Sequence, residues 1–212
     1  MGMTDDPEII RLFPSYVAKV RAPDPLRDSI GRGVLATVEQ LRAGQPDLAN
    51  GEVWQSPHGL HRFAAMQPLV AYTSEAAGRV LEFLRIPSRA LSFTGCWANL
   101  AAPGAEVKTH AHPNNFLGGV YYVQVQPGAD TINFHDPRQQ TAIIRPPVTE
   151  LTAYNTDQVV VPVEIGALLL FPAWLPHSVS ANQSDRLRIS VSFNLMFDEF
   201  AETMGAPLWS ER

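Results

Sequence analysis

The sequence predicts an α+β protein: a double-stranded β-helix, or jelly roll, with N-terminal helices packed on the outside of the sheet. Three observations carry this. Apolar residues recur at helical spacing up to about residue 90, the period becomes two after it, and Pro or Gly turns then arrive about every ten positions. Many short strands divided by turn residues are the pattern of a sandwich, jelly roll or barrel.

In chain order, Tyr16 to Arg21 alternates and supplies a first strand. Leu26, Ile30, Val34, Val38 and Leu41 then follow one helix face, with Pro23-Asp24-Pro25 as the start signal and Gly44 as the stop. A second helix runs from about Gln67 to Leu84, where Leu69, Val70, Ala77, Val80, Leu81 and Leu84 make an apolar stripe. Pro68 suits its first turn and Pro87 closes it. Both stripes read as core. Strands are expected over Ala90–Leu100, Val107–His112, Gly119–Gln126, Thr131–His135, Thr141–Ile144, Val159–Val163, Ala167–Phe171, Ser178–Ala181 and Leu187–Leu195. Pro103-Gly104, Pro127-Gly128, Pro146-Pro147 and Gly166 punctuate them. Residues 1–212 are expected to form one domain, with a helical part over 1–89, a jelly-roll core over 90–197 and a C-terminal tail over 198–212.

Composition narrows the function. With 45% hydrophobic and 17% charged residues the chain is globular rather than disordered. A net charge of −5 argues against a broad groove for nucleic acid. Cys96, the only cysteine, excludes an internal disulfide and a thiolate metal cluster, and reads as a small buried hydrophobe. The acidic start lacks a signal peptide's basic and apolar regions, and the longest apolar run, Ile165 to Pro176, is too short and Pro-interrupted to span a bilayer. A cytoplasmic protein is expected, with no membrane partner; a symmetric homodimer is only the base-rate expectation.

The chemistry centres on histidine. His110 and His112 stand one residue apart, and a strand repeats its side-chain direction every second residue, so both leave one face. His177 returns 65 positions later in Leu-Phe-Pro-Ala-Trp-Leu-Pro-His. Three ligands on one side of a metal, with positions left open, is the layout non-haem Fe(II) uses for oxygen chemistry, although imidazole equally suits Zn, Cu or Ni. The bland alternative is two satisfied structural histidines on a strand. His135 and Asp136 are reserve ligands that also read as a strand end with an Asp-Pro turn.

A second constellation lies in Arg186-Leu187-Arg188-Ile189-Ser190-Val191-Ser192-Phe193-Asn194. Alternation puts Arg186, Arg188, Ser190, Ser192 and Asn194 on one face and the apolar residues on the other. A solvated face satisfies this pattern. Pointed into a barrel, the same stripe holds a carboxylate by an arginine fork, with a serine adding a further bond.

These segments resemble the 2-oxoglutarate/Fe(II)-dependent oxygenase superfamily, and most closely a small bacterial branch whose substrates are unassigned. The similar pieces are Trp97-Ala98-Asn99, His110-Ala111-His112-Pro113-Asn114, Gly119-Val120-Tyr121-Tyr122-Val123, Phe134-His135-Asp136-Pro137-Arg138, Leu170-Phe171-Pro172 to His177, and Arg188 to Asn194. They cover roughly residues 90–197; each is weak alone, and their order and spacing are specific together.

The resemblance implies that His110, His112 and His177 hold Fe(II), with His112 standing where relatives carry a carboxylate. It implies that Arg188 and Ser190 bind 2-oxoglutarate, with Arg186 as a competitor, Tyr122 as a partner on the same carboxylate and Asn99 as a neighbour. It implies no catalytic residue beyond the metal site. O2 and 2-oxoglutarate are converted to succinate and CO2 while a C–H bond of a small-molecule or peptide-like substrate is hydroxylated. Trp97, Phe116 and Trp174 are substrate-side candidates that serve equally as core. Two other readings stay open: a cupin-like three-histidine dioxygenase working without 2-oxoglutarate, and a non-catalytic jelly roll that binds a metal or ligand.

Overall fold

A computed structural model describes residues 7–87, 90–138 and 146–201. Strand β1 (Ala18–Arg21) leads into helix α1 (Asp24–Arg42), a short strand β2 (Val53–Gln55), two single 3-10 turns (Leu60–Arg62, Ala64–Met66) and helix α2 (Gln67–Phe83). Then follow β3 (Leu91–Ala101), β4 (Val107–His110), β5 (Leu117–Gln124), β6 (Thr131–His135), β7 (Gln158–Pro162), β8 (Ala167–Pro172), β9 (His177–Val179), β10 (Arg188–Phe197) and a last turn of helix, α3 (Asp198–Ala201). Among the described residues the strands form a larger sheet in the order β1-β8-β5-β10-β3-β2 and a smaller one in the order β4-β9-β6-β7, with every pairing antiparallel.

Period-two alternation explains how both faces of the larger sheet are buried. On β5, Val120 and Tyr122 turn toward the smaller sheet and join Ile132 and Phe134 of β6 in one apolar cluster, together with Leu169 and Phe171 of β8. The intervening Tyr121, Leu168 and Leu170 turn outward and pack with Ile30, Val34 and Val38 of α1 and Leu69, Ala77 and Val80 of α2. A strand sandwiched this way reads as an unbroken apolar run, as Ala167 to Phe171 does. The helical stripes are therefore core, and the helices lie on the outer face of the sheet.

Several elements differ from the sequence expectation. The strand expected over Val107–His112 stops at His110, because the pairing with β9 is irregular between Val107 and His110 and a turn follows, with Asn114 at φ 62°. Strand β2 pairs with the far end of β3, Val53 opposite Ala101 and Gln55 opposite Asn99, and three residues are too few to show a period. Residues 198–201, expected as tail, begin with α3, where Asp198 accepts a hydrogen bond from the Ser92 hydroxyl at 2.6 Å. The strand expected over Thr141–Ile144 lies outside the described residues. No helix among the described residues is long and apolar enough to cross a membrane.

Candidate metal centre

His110 ends β4 and His177 begins β9, and the two are direct partners in the register. Cross-strand neighbours of this kind place their side chains side by side. Their ring centroids are 4.3 Å apart. His112 lies beyond the strand, held by its backbone N–H, which donates to the Ala173 carbonyl at 2.8 Å. Its ring stacks on that of His177 at 5.0 Å and stands edge-on to His110 at 5.1 Å. One ligand atom from each of the three lies within 4.8 Å of the others. The geometry that spacing implied is thus reached by a different route: a strand end, a cross-strand partner and a tethered turn.

The tautomers follow from the partners. His110 Nδ1 lies 2.8 Å from the Lys108 carbonyl and His177 Nδ1 lies 3.0 Å from the Leu175 carbonyl. A carbonyl only accepts, so both Nδ1 atoms carry the proton and each Nε2 presents a lone pair. His112 Nε2 faces His177 Nε2 at 3.2 Å. Two nitrogens bound at ~2.1 Å to one cation sit about 3.0 Å apart at a right angle and about 3.4 Å apart at a tetrahedral one, so the pair is already spaced for a shared metal. Burial above all pushes both His112 and His177 down to about 4; neighbouring imidazoles act in the same direction, while the Leu175 hydrogen bond opposes it for His177. Both rings are therefore neutral at pH 7, the form that binds a metal.

The surroundings fix the rings. Phe171 and Phe134 pack on His177, with centroids 4.7 and 6.1 Å away, and Trp97 tilts against His112 at 6.1 Å. Gly118 of β5 lies directly under His112: a Cβ there would stand 3.3 Å from His112 Cδ2 and 2.9 Å from Phe171 Cε2. Gly118→Ala is accordingly expected to displace the His112 ring and weaken metal binding by about tenfold, the scale of losing an orienting contact, read by calorimetric titration with Ni(II).

The same cavity reaches Arg188, the first residue of β10, which is only 5% exposed. Its guanidinium stands 5.2 Å from the centre of the Tyr122 ring. Its Nη2 reaches the Thr131 carbonyl only at 3.5 Å, and its Nε has no partner. No Asp or Glu lines the cavity among the described residues. The Tyr122 hydroxyl is likewise buried without a partner, and burial pushes it up to about 12, against the opposing effect of Arg188. It is a hydrogen-bond donor throughout the physiological range. Ser190 and Asn99 face each other across the β10–β3 register and both line the cavity.

Other sequence candidates fall elsewhere. Asp136 accepts four hydrogen bonds from Arg138, one from its backbone N–H and three from its guanidinium, the shortest at 2.6 Å, which holds its carboxyl below the usual range, and it is absent from the histidine cluster. Arg186 precedes β10, is 65% exposed at its side chain and does not line the cavity; alternation does not reach back to it because the strand begins at Arg188. Phe116 packs on Phe197 at 4.6 Å with the helix-side core, and Trp174 is 56% exposed and outside the lining. Trp97 does line it, stacked on His58 at 4.4 Å. Sequence reasoning missed Gln55 of β2, which donates to Asn99 Oδ1 at 2.8 Å, while Asn99 donates to Ser192 Oγ at 2.9 Å. Only a recognised β2 would have pointed to it.

A three-histidine set with open positions and a buried, unpaired guanidinium can hold a divalent metal and a small acid together. Residues 95–194 match the sequence model of a family described as "Putative 2OG-Fe(II) oxygenase". No curated protein sequence matches the chain. Among solved structures, the carbocyclase SnoK from nogalamycin biosynthesis, described as non-haem and α-ketoglutarate dependent, is similar with a TM-score of 0.63 at 13% identity, over 93% of this chain and 90% of that one. A Pseudomonas putida prolyl-4-hydroxylase is similar at 0.56 and 15% identity, over 86% and 93%. HygX from Streptomyces hygroscopicus, solved with nickel and 2-oxoglutarate, is similar at 0.59 and 11% identity, over 87% and 83%. At such identities these structures speak for the fold, the double-stranded β-helix. Over residues 95–194, the chain is thus similar in sequence to that 2OG-Fe(II) oxygenase family, and it shares the fold of these solved structures.

Proposed function

We propose that the protein binds Fe(II) through His110, His112 and His177, holds 2-oxoglutarate through Arg188, Ser190 and Tyr122, and hydroxylates a small-molecule or peptide-like substrate at the cavity mouth. The observation that carries this reading is a buried guanidinium with no carboxylate beside it among the described residues, lining the same cavity as three convergent imidazoles. A buried cation with no counter-ion is costly, and a bound acid resolves that cost.

When bound, the iron with 2-oxoglutarate and O2 supplies the oxidising chemistry, with succinate and CO2 as co-products. The chain's own residues orient and exclude. Arg188 would offer its guanidinium N–H groups to a carboxylate of the co-substrate, with the Tyr122 and Ser190 hydroxyls in the same cavity as further donors. Lys108 and Leu175 carbonyls lock His110 and His177 with Nε2 forward. Phe171, Val120 and Ile132 keep the wall apolar, which strengthens each charge-assisted bond inside. Trp97 and Asn99 form the wall where a substrate enters. A cytoplasmic location suits a reduced iron site in a chain with a single buried cysteine.

The cupin-like alternative finds support in the third imidazole, but it leaves Arg188 without a role. The test is direct. Protein loaded anaerobically with Fe(II) is expected to bind one 2-oxoglutarate by calorimetry and to form succinate on admission of O2. Metal uptake without 2-oxoglutarate binding overturns this reading in favour of the alternative.

A further inference from the structure

The cavity is short of negative charge. Its lining contains one formal cation, Arg188, three histidines and no carboxylate among the described residues. The reserve ligand Asp136 is committed to Arg138. With His112 as third ligand, a divalent metal and Arg188 bring three positive charges, and a 2-oxoglutarate dianion brings two negative ones. One positive charge stays unbalanced. A carboxylate ligand at position 112 would cancel it.

An unbalanced charge enclosed by Phe171, Val120 and Ile132 is expensive and draws an anion from solution. The wall beside His112 has donors to receive one. Asn99 uses one amide hydrogen on Ser192 and its Oδ1 on Gln55, which leaves its second N–H free, and the Ser192 hydroxyl, acceptor to Asn99, keeps its own hydrogen to donate. Trp97 closes the same wall.

Resting on the reading above, we infer that the metal- and 2-oxoglutarate-loaded centre takes one further monoanion beside His112, on the wall formed by Trp97, Asn99 and Ser192. The ligand chemistry is that of a singly charged, metal-compatible group, supplied either by a free halide or by a carboxylate of the primary substrate. The site thus selects for charge at the reacting end of the cavity, which a centre with a carboxylate ligand does not.

The test uses the whole chain loaded with Co(II) and 2-oxoglutarate under nitrogen, with azide as the probe and the cobalt absorption bands as the readout. Saturable azide binding is expected, at least about tenfold tighter in the wild type than in His112→Asp, the effect of placing a fixed negative charge within contact distance. His112→Glu replaces the aspartate variant if that one fails to take up metal. Chloride and acetate then compete with azide: stronger competition by chloride assigns a halide, stronger competition by acetate a substrate carboxylate. Equal azide affinity in wild type and a metal-loaded carboxylate variant overturns the inference, as does the absence of saturable azide binding in the loaded wild type. Failure to bind 2-oxoglutarate at the loading step overturns the underlying reading instead, and is seen before azide is added.

Discussion

Replacing Arg188 by methionine is expected to raise the thermal midpoint of the ligand-free protein and to weaken 2-oxoglutarate binding by at least about thirtyfold. The opposite signs come from one fact. Arg188 is 5% exposed, its Nε is unpartnered, and no acidic side chain among the described residues lines its cavity. Even a buried ion pair replaced by apolar side chains of similar volume is often neutral or stabilising by about 1–4 kcal/mol, and a buried charge with no counter-ion is costlier to keep. Removing one partner from a buried, hydrogen-bonded charge pair costs about 2–5 kcal/mol in binding, which at 1.4 kcal/mol per decade spans roughly 30-fold to several thousandfold. Thermal melts with and without 2-oxoglutarate, and calorimetry on the metal-loaded protein, measure both. A variant that melts earlier yet binds 2-oxoglutarate normally would mean that Arg188 is a structural residue.

His177→Ala is expected to lower metal affinity by at least about a hundredfold, since loss of a mere orienting contact already costs 10- to 100-fold. His177 contacts both other histidines and is the most buried of the three. Because its ring packs on Phe171 and Phe134, alanine also leaves a void, and a lower melting temperature accompanies the change. His110→Ala separates the two effects: His110 is exposed, so metal binding falls while the melt stays near that of the wild type. Metal content after dialysis reads the outcome. Full metal retention by His177→Ala would rule out the three-histidine centre.

Much of this was legible from periodicity. The alternation from Arg188 to Asn194 put Arg188, Ser190 and Ser192 on the face that lines the cavity, and the long apolar stripes marked both helices. Parity alone failed where a strand ended. Arg186 has the same parity as Arg188 but lies before β10. His112 has the parity of His110 but lies past β4, and its place depends on a bond to Ala173 that pairs residues 61 apart. Aromatic identity carried no direction either. Trp97, Phe116 and Trp174 are alike in hydrophobicity, yet one lines the cavity, one sits under the helices and one faces water. Strand β2 was invisible because an edge strand of three residues has no repeat to read, and Gln55 was missed with it.

The two sheets divide the labour. His110 and His177 stand on β4 and β9 of the smaller sheet, whereas Arg188, Ser190, Tyr122 and Asn99 stand on β10, β5 and β3 of the larger. A metal held by the first set and an acid held by the second would tie the two layers together, and whatever factor metal binding gives to co-substrate affinity is returned in full to the metal. Amide exchange along the β6–β9 ladder is then expected to slow as both are bound, a gauge of occupancy.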